Sequence, residues 1–479
     1  MSRTTRLASL LLPAAALGFT AVQAGETVPP PKAAPPENPL SLWDGSLVID
    51  FQERLRAEAR ENNRDFDSTL HDDNDDSWLL NRFRLGFTLK PSPWVKAYIQ
   101  GQDSREWFSD RPKIPGVHSA DGNDAFDLRQ AYIQLGDAKE FPLLLNVGRK
   151  SLQYGDRRLV ADSLWSNTGR TFDQVTLRYE TPKLWVDAFA SRPVQLKADR
   201  FDDADAEDNF YGVYLSTTYV PHQTTDLYVL YRDKSDNQPD LSPVNSIDPR
   251  GSGTGPAARF TTIGTRFDST PGELHGWDYN AEFAYQFGDL WETDRNSKKL
   301  QLHAFAAHVG GGYTFEDVAW KPRIGLEYNY ASGDDNPADG RSSSFQNLYP
   351  GNHEKFGYMD EFSWRNQHDL RLQLKVKPTK NLELELHYLA YWLADTSDYW
   401  YRSNGLTALR TKTAIGQDVR TLGASPFAGQ EIDFAATYEF SKNFKLQGGY
   451  SHFFAGSYLR DTGAHDDADF GYLMGTLQF

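Results

Sequence analysis

The sequence predicts an all-β protein, a transmembrane antiparallel up-and-down β-barrel of about 18 strands with short periplasmic turns and long extracellular loops. Three observations lead there. From Ser46 to the C-terminus apolar and polar residues alternate with a period of two. The connections between the alternating segments are short and long in turn. The last segment is apolar on one phase and ends on an aromatic residue, Phe479.

Taken in order, the chain divides into three parts. Residues 1–24 read as a signal peptide: Arg3 and Arg6, an apolar run from Leu7 to Val22, then the small-residue site Val22-Gln23-Ala24. Residues 25–45 read as a periplasmic tether, because the stretch from Val28 to Pro39 (VPPPKAAPPENP) is too rich in proline to pair into a sheet or helix. Residues 46–479 form the barrel.

In the first strand Leu47, Ile49, Phe51, Leu55 and Ala57 share one face, and Asp50, Gln52, Arg54, Arg56 and Glu58 the other. The split recurs in Phe83, Leu85, Phe87 and Leu89 against Arg82, Arg84 and Lys90, and again in Leu370, Leu372, Leu374 and Val376 against Asp369, Arg371, Gln373 and Lys375. Each segment is near the ~10 residues that a tilted membrane strand requires. The apolar phase is expected to face lipid and the charged phase to enclose water.

Short joins at Pro91-Ser92-Pro93, Pro182-Lys183, Pro221-His222, Glu316-Asp317, Pro378 to Asn381 and Ser441-Lys442-Asn443 alternate with long loops. Examples of the latter are Glu61 to Ser77, Lys234 to Gly255, Asp334 to Phe362 and Thr396 to Gly429. Short turns on one rim and long loops on the other are the outer-membrane pattern, and an even strand count leaves both termini in the periplasm. Tryptophans near strand ends, including Trp94, Trp107, Trp185, Trp277, Trp320, Trp392 and Trp400, suit two interfacial girdles. Gly471, Leu473, Gly475, Leu477 and Phe479 fall on one phase, and such a terminus resembles the signal read by the barrel-assembly machinery.

No stretch after the leader approaches the ~20 apolar residues of a spanning helix. Cysteine is absent, as suits passage through an oxidising periplasm. No G-x-S-x-G, no H-E-x-x-H and no phosphate-gripping glycine loop occurs, so no enzyme and no catalytic residue is expected. Nor is a nucleic-acid partner, the formal charge being −16.

Against that charge, Arg149, Lys150, Arg157, Arg158, Arg170 and Arg178 crowd into Gly148–Glu180. A cationic island in an acidic chain suits an anion; the same arginines also suit pairing with Asp156, Asp162 and Asp173. Arg129 and Arg149 break the strand phase, since each lies among apolar-face residues. A lipid-facing arginine costs ~2–4 kcal/mol near the midplane. Both are therefore expected to point inward, at one height and on one face, through a bulge or a reversed phase.

The block Gly148–Leu159 (GRKSLQYGDRRL), followed by L-W-x-N at Leu164–Asn167 and G-R-x-F-D at Gly169–Asp173, resembles the alginate-export family of bacterial outer-membrane proteins. The block Ser332–Asp360 (SGDDNPADGRSSSFQNLYPGNHEKFGYMD) is similar to a second motif of that family. The resemblance implies an arginine-lined constriction. It carries over to Arg129 in LRQAYIQL and Arg149 in NVGRK, with Arg84 as a third member by position and Arg157 and Arg158 on a loop reaching the same narrowing. Arg170 and Arg178 complete the candidate anion-binding set.

The function expected from these features is a passive outer-membrane channel of a Gram-negative bacterium that exports an anionic, alginate-like polysaccharide. The alternatives are a general or uptake porin for small anions or acidic sugars, and a soluble all-β carbohydrate-binding protein or lyase. Expected partners are the acidic polymer, outer-membrane lipid and lipopolysaccharide, the barrel-assembly machinery through Phe479, and periplasmic export proteins. No cofactor and no metal site is expected. The acidic loop clusters Asp72–Asp76, Asp202–Asp208 and Asp466–Asp469 could take up Ca²⁺, but none has an EF-hand spacing and solvated loops explain them better.

Overall fold

The computed structural model describes residues 40–70, 75–109, 123–197, 200–235, 256–292 and 295–479. The expected signal peptide, Val28–Pro39, part of the Asp72–Asp76 cluster and most of the loop from Lys234 to Gly255 lie outside the described residues.

Eighteen long strands succeed one another: β1 (Leu47–Glu61), β2 (Asp76–Ser92), β3 (Val95–Trp107), β4 (Asp124–Leu135), β5 (Leu143–Lys150), β6 (Phe172–Thr181), β7 (Leu184–Gln195), β8 (Asp208–Thr217), β9 (Gln223–Lys234), β10 (Ala258–Ser269), β11 (Trp277–Trp291), β12 (Lys299–Thr314), β13 (Arg323–Ala331), β14 (Gln367–Val376), β15 (Leu382–Trp392), β16 (Phe427–Glu439), β17 (Phe444–Ala455) and β18 (Ala468–Gln478). Each pairs antiparallel with its neighbours in sequence. β18 then pairs with β1, from Gln52 opposite Gln478 to Glu61 opposite Asp469, which closes the cylinder. Two-residue strands lie against β1 (Ser41–Leu42) and β7 (Asp203–Ala204), the first formed by the last residues of the expected tether.

The two phases separate as the alternation predicts. Leu55, Ile99, Ile133, Val175, Leu227, Val229, Phe283, Leu326 and Leu372 are exposed on the outer wall, while Arg56, Asp187, Asp226, Glu327, Asp369 and Asp433 are buried inside. An apolar belt outside and charges inside is the arrangement a bilayer imposes on a closed sheet. No helix among the described residues is long and apolar enough to cross a membrane. The longest is a six-residue turn of helix, Ser457–Thr462.

Arg129 sits at a bulge. Gln100 pairs with Gln130 and Gly101 with Leu128, so Arg129 is the extra residue and the phase of β4 reverses there. Its side chain is thereby turned into the lumen and buried. Arg149 does not join it. It stands opposite Ala131, two residues nearer the turn rim than Arg129, and shares the outer phase of Val147. What spares it a cost in lipid is its position at the loop end of β5, where Asp173 on β6 stands directly opposite and pairs with it at 2.8 and 3.2 Å.

Most of the packed core lies inside the cylinder. The loop after β5 (151–171) and the loop after β13 (332–366) fold into the lumen and join edge to edge. Ala161 donates to the Tyr349 carbonyl and Tyr349 to the Leu159 carbonyl, each at 2.8 Å, and Gly351 donates to the Arg157 carbonyl at 3.0 Å. Aromatic side chains of the loop after β13 pack inside the cylinder: Phe362 stacks on Tyr391 and Trp400, and Tyr349 packs on Phe172 and Phe210. Two of the expected girdle tryptophans belong to this packing instead. Trp400 is buried at the Glu361 carbonyl, and Trp185 stacks against Tyr154 and Tyr214 in the lumen. Trp94, Trp277 and Trp320 are exposed at the turn rim, where a girdle is expected.

Candidate anion-binding bed in the lumen

β1 and β2 form a hairpin on which two R-x-R doublets face inward: Arg54 and Arg56 on one strand, Arg82 and Arg84 on the other, with Arg54 directly opposite Arg82. Arg129 joins them from β4, and the five guanidinium groups lie close enough to repel one another. Like charges facing across a ladder are destabilising, so something must offset them. Glu58 does so in part, meeting Arg56 at 2.5 Å.

Asp162 on the loop after β5 acts in the same sense on Arg84 and Arg129, and the rest of the compensation comes from neutral carbonyls of that loop. Arg54 donates to the carbonyls of Leu164 (2.9 Å), Trp165 (3.2 Å) and Ser166 (3.0 Å). Arg56 donates to Trp165 (2.6 Å), and Arg82 to Leu164 (3.2 Å) and Ser166 (2.9 Å). The next two carbonyls accept from Ser104 (3.0 Å) and Gln102 (2.8 Å). All five carbonyls from Leu164 to Thr168 are thus turned onto the barrel wall. Trp165 completes the contact, with the Arg56 guanidinium 3.8 Å from its ring centre on one side and His353 stacked at 3.7 Å.

At the end of this segment the cationic bed has spare donors. Arg84 uses Nε on Gln102 at 2.6 Å, and Arg129 uses Nη1 on Gln100 at 3.2 Å. Arg84 Nη2 and Arg129 Nε and Nη2 are buried with no hydrogen-bond partner among the described residues. They converge beside Gly169, whose φ of +76° suits glycine and where an added Cβ would lie 3.1 and 3.2 Å from the two Nη2 atoms. A guanidinium fork with unused N–H groups in a low-dielectric site is a strong acceptor-seeking arrangement, best met by a carboxylate or other oxyanion.

The remaining sequence candidates are placed apart from that convergence. Arg157 reaches Glu354 at 2.9 Å, and Arg158 is buried against Glu327 at 2.8 Å and Asp156 at 3.1 Å. Arg170 donates to the Ala161 and Pro350 carbonyls, each at 3.1 Å, and burial lowers it to about 10. Arg157 and Arg170 thus join the two lumen loops, and Arg158 ties the first of them to β13. Arg178 forms a two-pronged pair with Asp187 at 2.6 and 2.7 Å. Arg149 is on the outer phase, as described. The residues that sequence reasoning left in the general lumen inventory were Arg54, Arg56 and Arg82. The R-x-R doublets on consecutive hairpin strands were the signal that could have singled them out.

A closed 18-stranded antiparallel barrel with an apolar belt and a charged lumen defines an outer-membrane channel of the porin type. Comparison with solved structures gives the same fold in several Pseudomonas aeruginosa proteins. The outer membrane protein OprD matches at TM-score 0.56 and 11% identity, over 91% of this chain and 94% of that one. OccD3 (OpdP) matches at 0.57 and 10%, over 90% and 91%. OpdK, solved with vanillate, matches at 0.56 and 11%, over 90% and 98%. Comparison with the curated proteins gives no match. The chain belongs to the alginate export family, whose model matches residues 47–472.

Proposed function

We propose that this outer-membrane channel passes an anionic polysaccharide of alginate type outward, and that the arginine bed of β1, β2 and β4 is its constriction. The observation that carries the reading is that Arg54, Arg56 and Arg82 donate to neutral loop carbonyls while Nη2 of Arg84 and Nε and Nη2 of Arg129 have no hydrogen-bond partner among the described residues. Neutral acceptors hold a guanidinium less strongly than a carboxylate does. A passing uronate would exchange with the Leu164–Ser166 carbonyls, and these would return as it left. Each contact is transient, which conduction requires. The channel needs no catalytic step. Direction would come from polymer synthesis and from periplasmic partners, since the outer membrane supplies neither ATP nor a membrane potential to draw on.

The second reading, an uptake porin for small acidic molecules, is favoured by one fact: OpdK, of the same fold, was solved with vanillate. Single-channel recording in planar bilayers separates the two. Block of the current by micromolar to millimolar oligouronate, and not by a neutral oligosaccharide of equal length, supports polymer passage. A current that small acids block but oligouronates do not would replace it with the porin reading.

A further inference from the structure

β5 is short, and it pairs with β4 only from Ala131 to Leu135. Above that point no strand among the described residues lies beside β4 residues 124–130 on that side, which leaves an opening in the wall. The loop between β7 and β8 crosses the opening: Asp202 donates its backbone N–H to Asp127 Oδ2 at 2.6 Å, and Arg149 donates to the Asp202 and Leu128 carbonyls at 3.2 and 3.3 Å.

Where the loop lands, three carboxylates meet. Asp124, Asp127 and Asp202 each offer an oxygen, all within 4.8 Å of one another. Asp127 and Asp202 are oriented by backbone N–H groups, Leu128 and Asp202 on Asp127 and Lys197 on Asp202. Asp124 differs. It is 3% exposed, points into the trio, and has no hydrogen-bond or ion-pair partner among the described residues. A buried carboxylate left in that state is costly. The cations around it are engaged elsewhere: Arg105 grips Asp103 with two contacts of 2.6 Å, Arg149 pairs with Asp173, and Lys197 with Asp203.

We propose that Asp124, Asp127 and Asp202 bind a divalent cation of the Ca²⁺ type, which pins the β7–β8 loop across the opening in the barrel wall. Hard oxygen donors in a flexible, irregular array suit Ca²⁺, with water completing a shell of six to eight oxygens. Mg²⁺, which needs near-ideal octahedral geometry and dehydrates reluctantly, suits it less well. The site stands on geometry separate from the arginine bed, so it can fail without touching the reading of the channel.

The test uses the full barrel refolded in detergent without lipopolysaccharide, so that cations bridging lipid phosphates do not contribute. Calorimetric titration with CaCl₂ is expected to show saturable binding at about 10⁻⁴ to 10⁻³ M, the range of extracellular modules. Heat-modifiable gel migration is expected to shift to higher temperature in CaCl₂ than in EDTA. Asp124→Asn should weaken binding at least tenfold and abolish the Ca²⁺ shift, yet melt in EDTA no lower than the native chain, because one of three repelling charges is gone. If that variant does not assemble, Asp202→Asn on the loop carries the same expectation. Absence of saturable binding to the native chain, or equal Ca²⁺ binding by native and variant barrels, overturns the proposal.

Discussion

Arg54 and Arg82, opposite one another on β1 and β2, donate to the same two carbonyls, those of Leu164 and Ser166. Two like charges are thus held together by a loop segment that carries no charge of its own. In the proposed mechanism this segment is the component that gives way to the polymer. Trp165 anchors it through Arg56 and His353, and a buried cation–ring contact is worth ~0.5–2 kcal/mol. Trp165→Ala is expected to raise mean single-channel conductance and its fluctuation, with normal barrel assembly. Conductance traces indistinguishable from native would show that this segment does not limit the pore.

Arg149 and Asp173 are paired at the loop end of the outer wall, with the carboxylate side chain 40% exposed. A pair open to solvent contributes ~0.2–1 kcal/mol at most. Arg149→Gln is therefore expected to leave ion selectivity unchanged and to lower the melting temperature slightly. A loss of anion selectivity in this variant would place Arg149 in the conduction path.

Phe479 closes the cylinder. Its backbone exchanges hydrogen bonds with Phe51 at 3.0 and 3.3 Å, and the two rings stack at 4.8 Å. Deleting Phe479 removes a ladder pair and an aromatic contact worth ~0.5–1.5 kcal/mol at the seam between first and last strands. Slower membrane insertion and a lower temperature of heat modification are expected, measured by gel shift. Native yields and kinetics would remove the residue from both roles.

The lumen loops carry their own acid dependence. Burial alone would raise the Asp156 carboxyl, but Lys355 at 2.6 Å and Arg158 override it and hold it well below its usual 3.8. A carboxyl depressed on folding stabilises fully above its unfolded value and loses that contribution as pH falls through the folded one. The Asp156–Lys355 contact is therefore expected to persist from neutrality to about pH 4 and to loosen only in stronger acid. Lys355→Met should move the onset of acid-induced conductance change to higher pH. An onset shared by native and variant channels would contradict that link.

The barrel was legible because a lipid-facing wall imposes a strict alternation that no soluble partner sheet relaxes. The reversal at Arg129 was legible for the same reason: an arginine on the greasy phase demands a bulge. Arg149 carries the same local signal with a different outcome, because its partner Asp173 is on the next strand and its height depends on β5 ending early. Neither fact is written near Arg149. The selection of Arg54, Arg56 and Arg82 from the other inward-facing charges likewise depends on the path of residues 151–171, which no periodicity encodes. Trp185 and Trp400 were misplaced because an aromatic near a strand end suits a girdle and a loop-filled lumen equally well.

The central claim is that the inward arginines of β1, β2 and β4 select anions. The most direct measurement is the reversal potential of single channels under a salt gradient, comparing the native chain with the Arg84→Gln, Arg129→Gln double variant. Native channels are expected to favour anions, and the variant to shift severalfold toward cations, with weaker oligouronate block. Identical reversal potentials in correctly assembled channels would contradict the account.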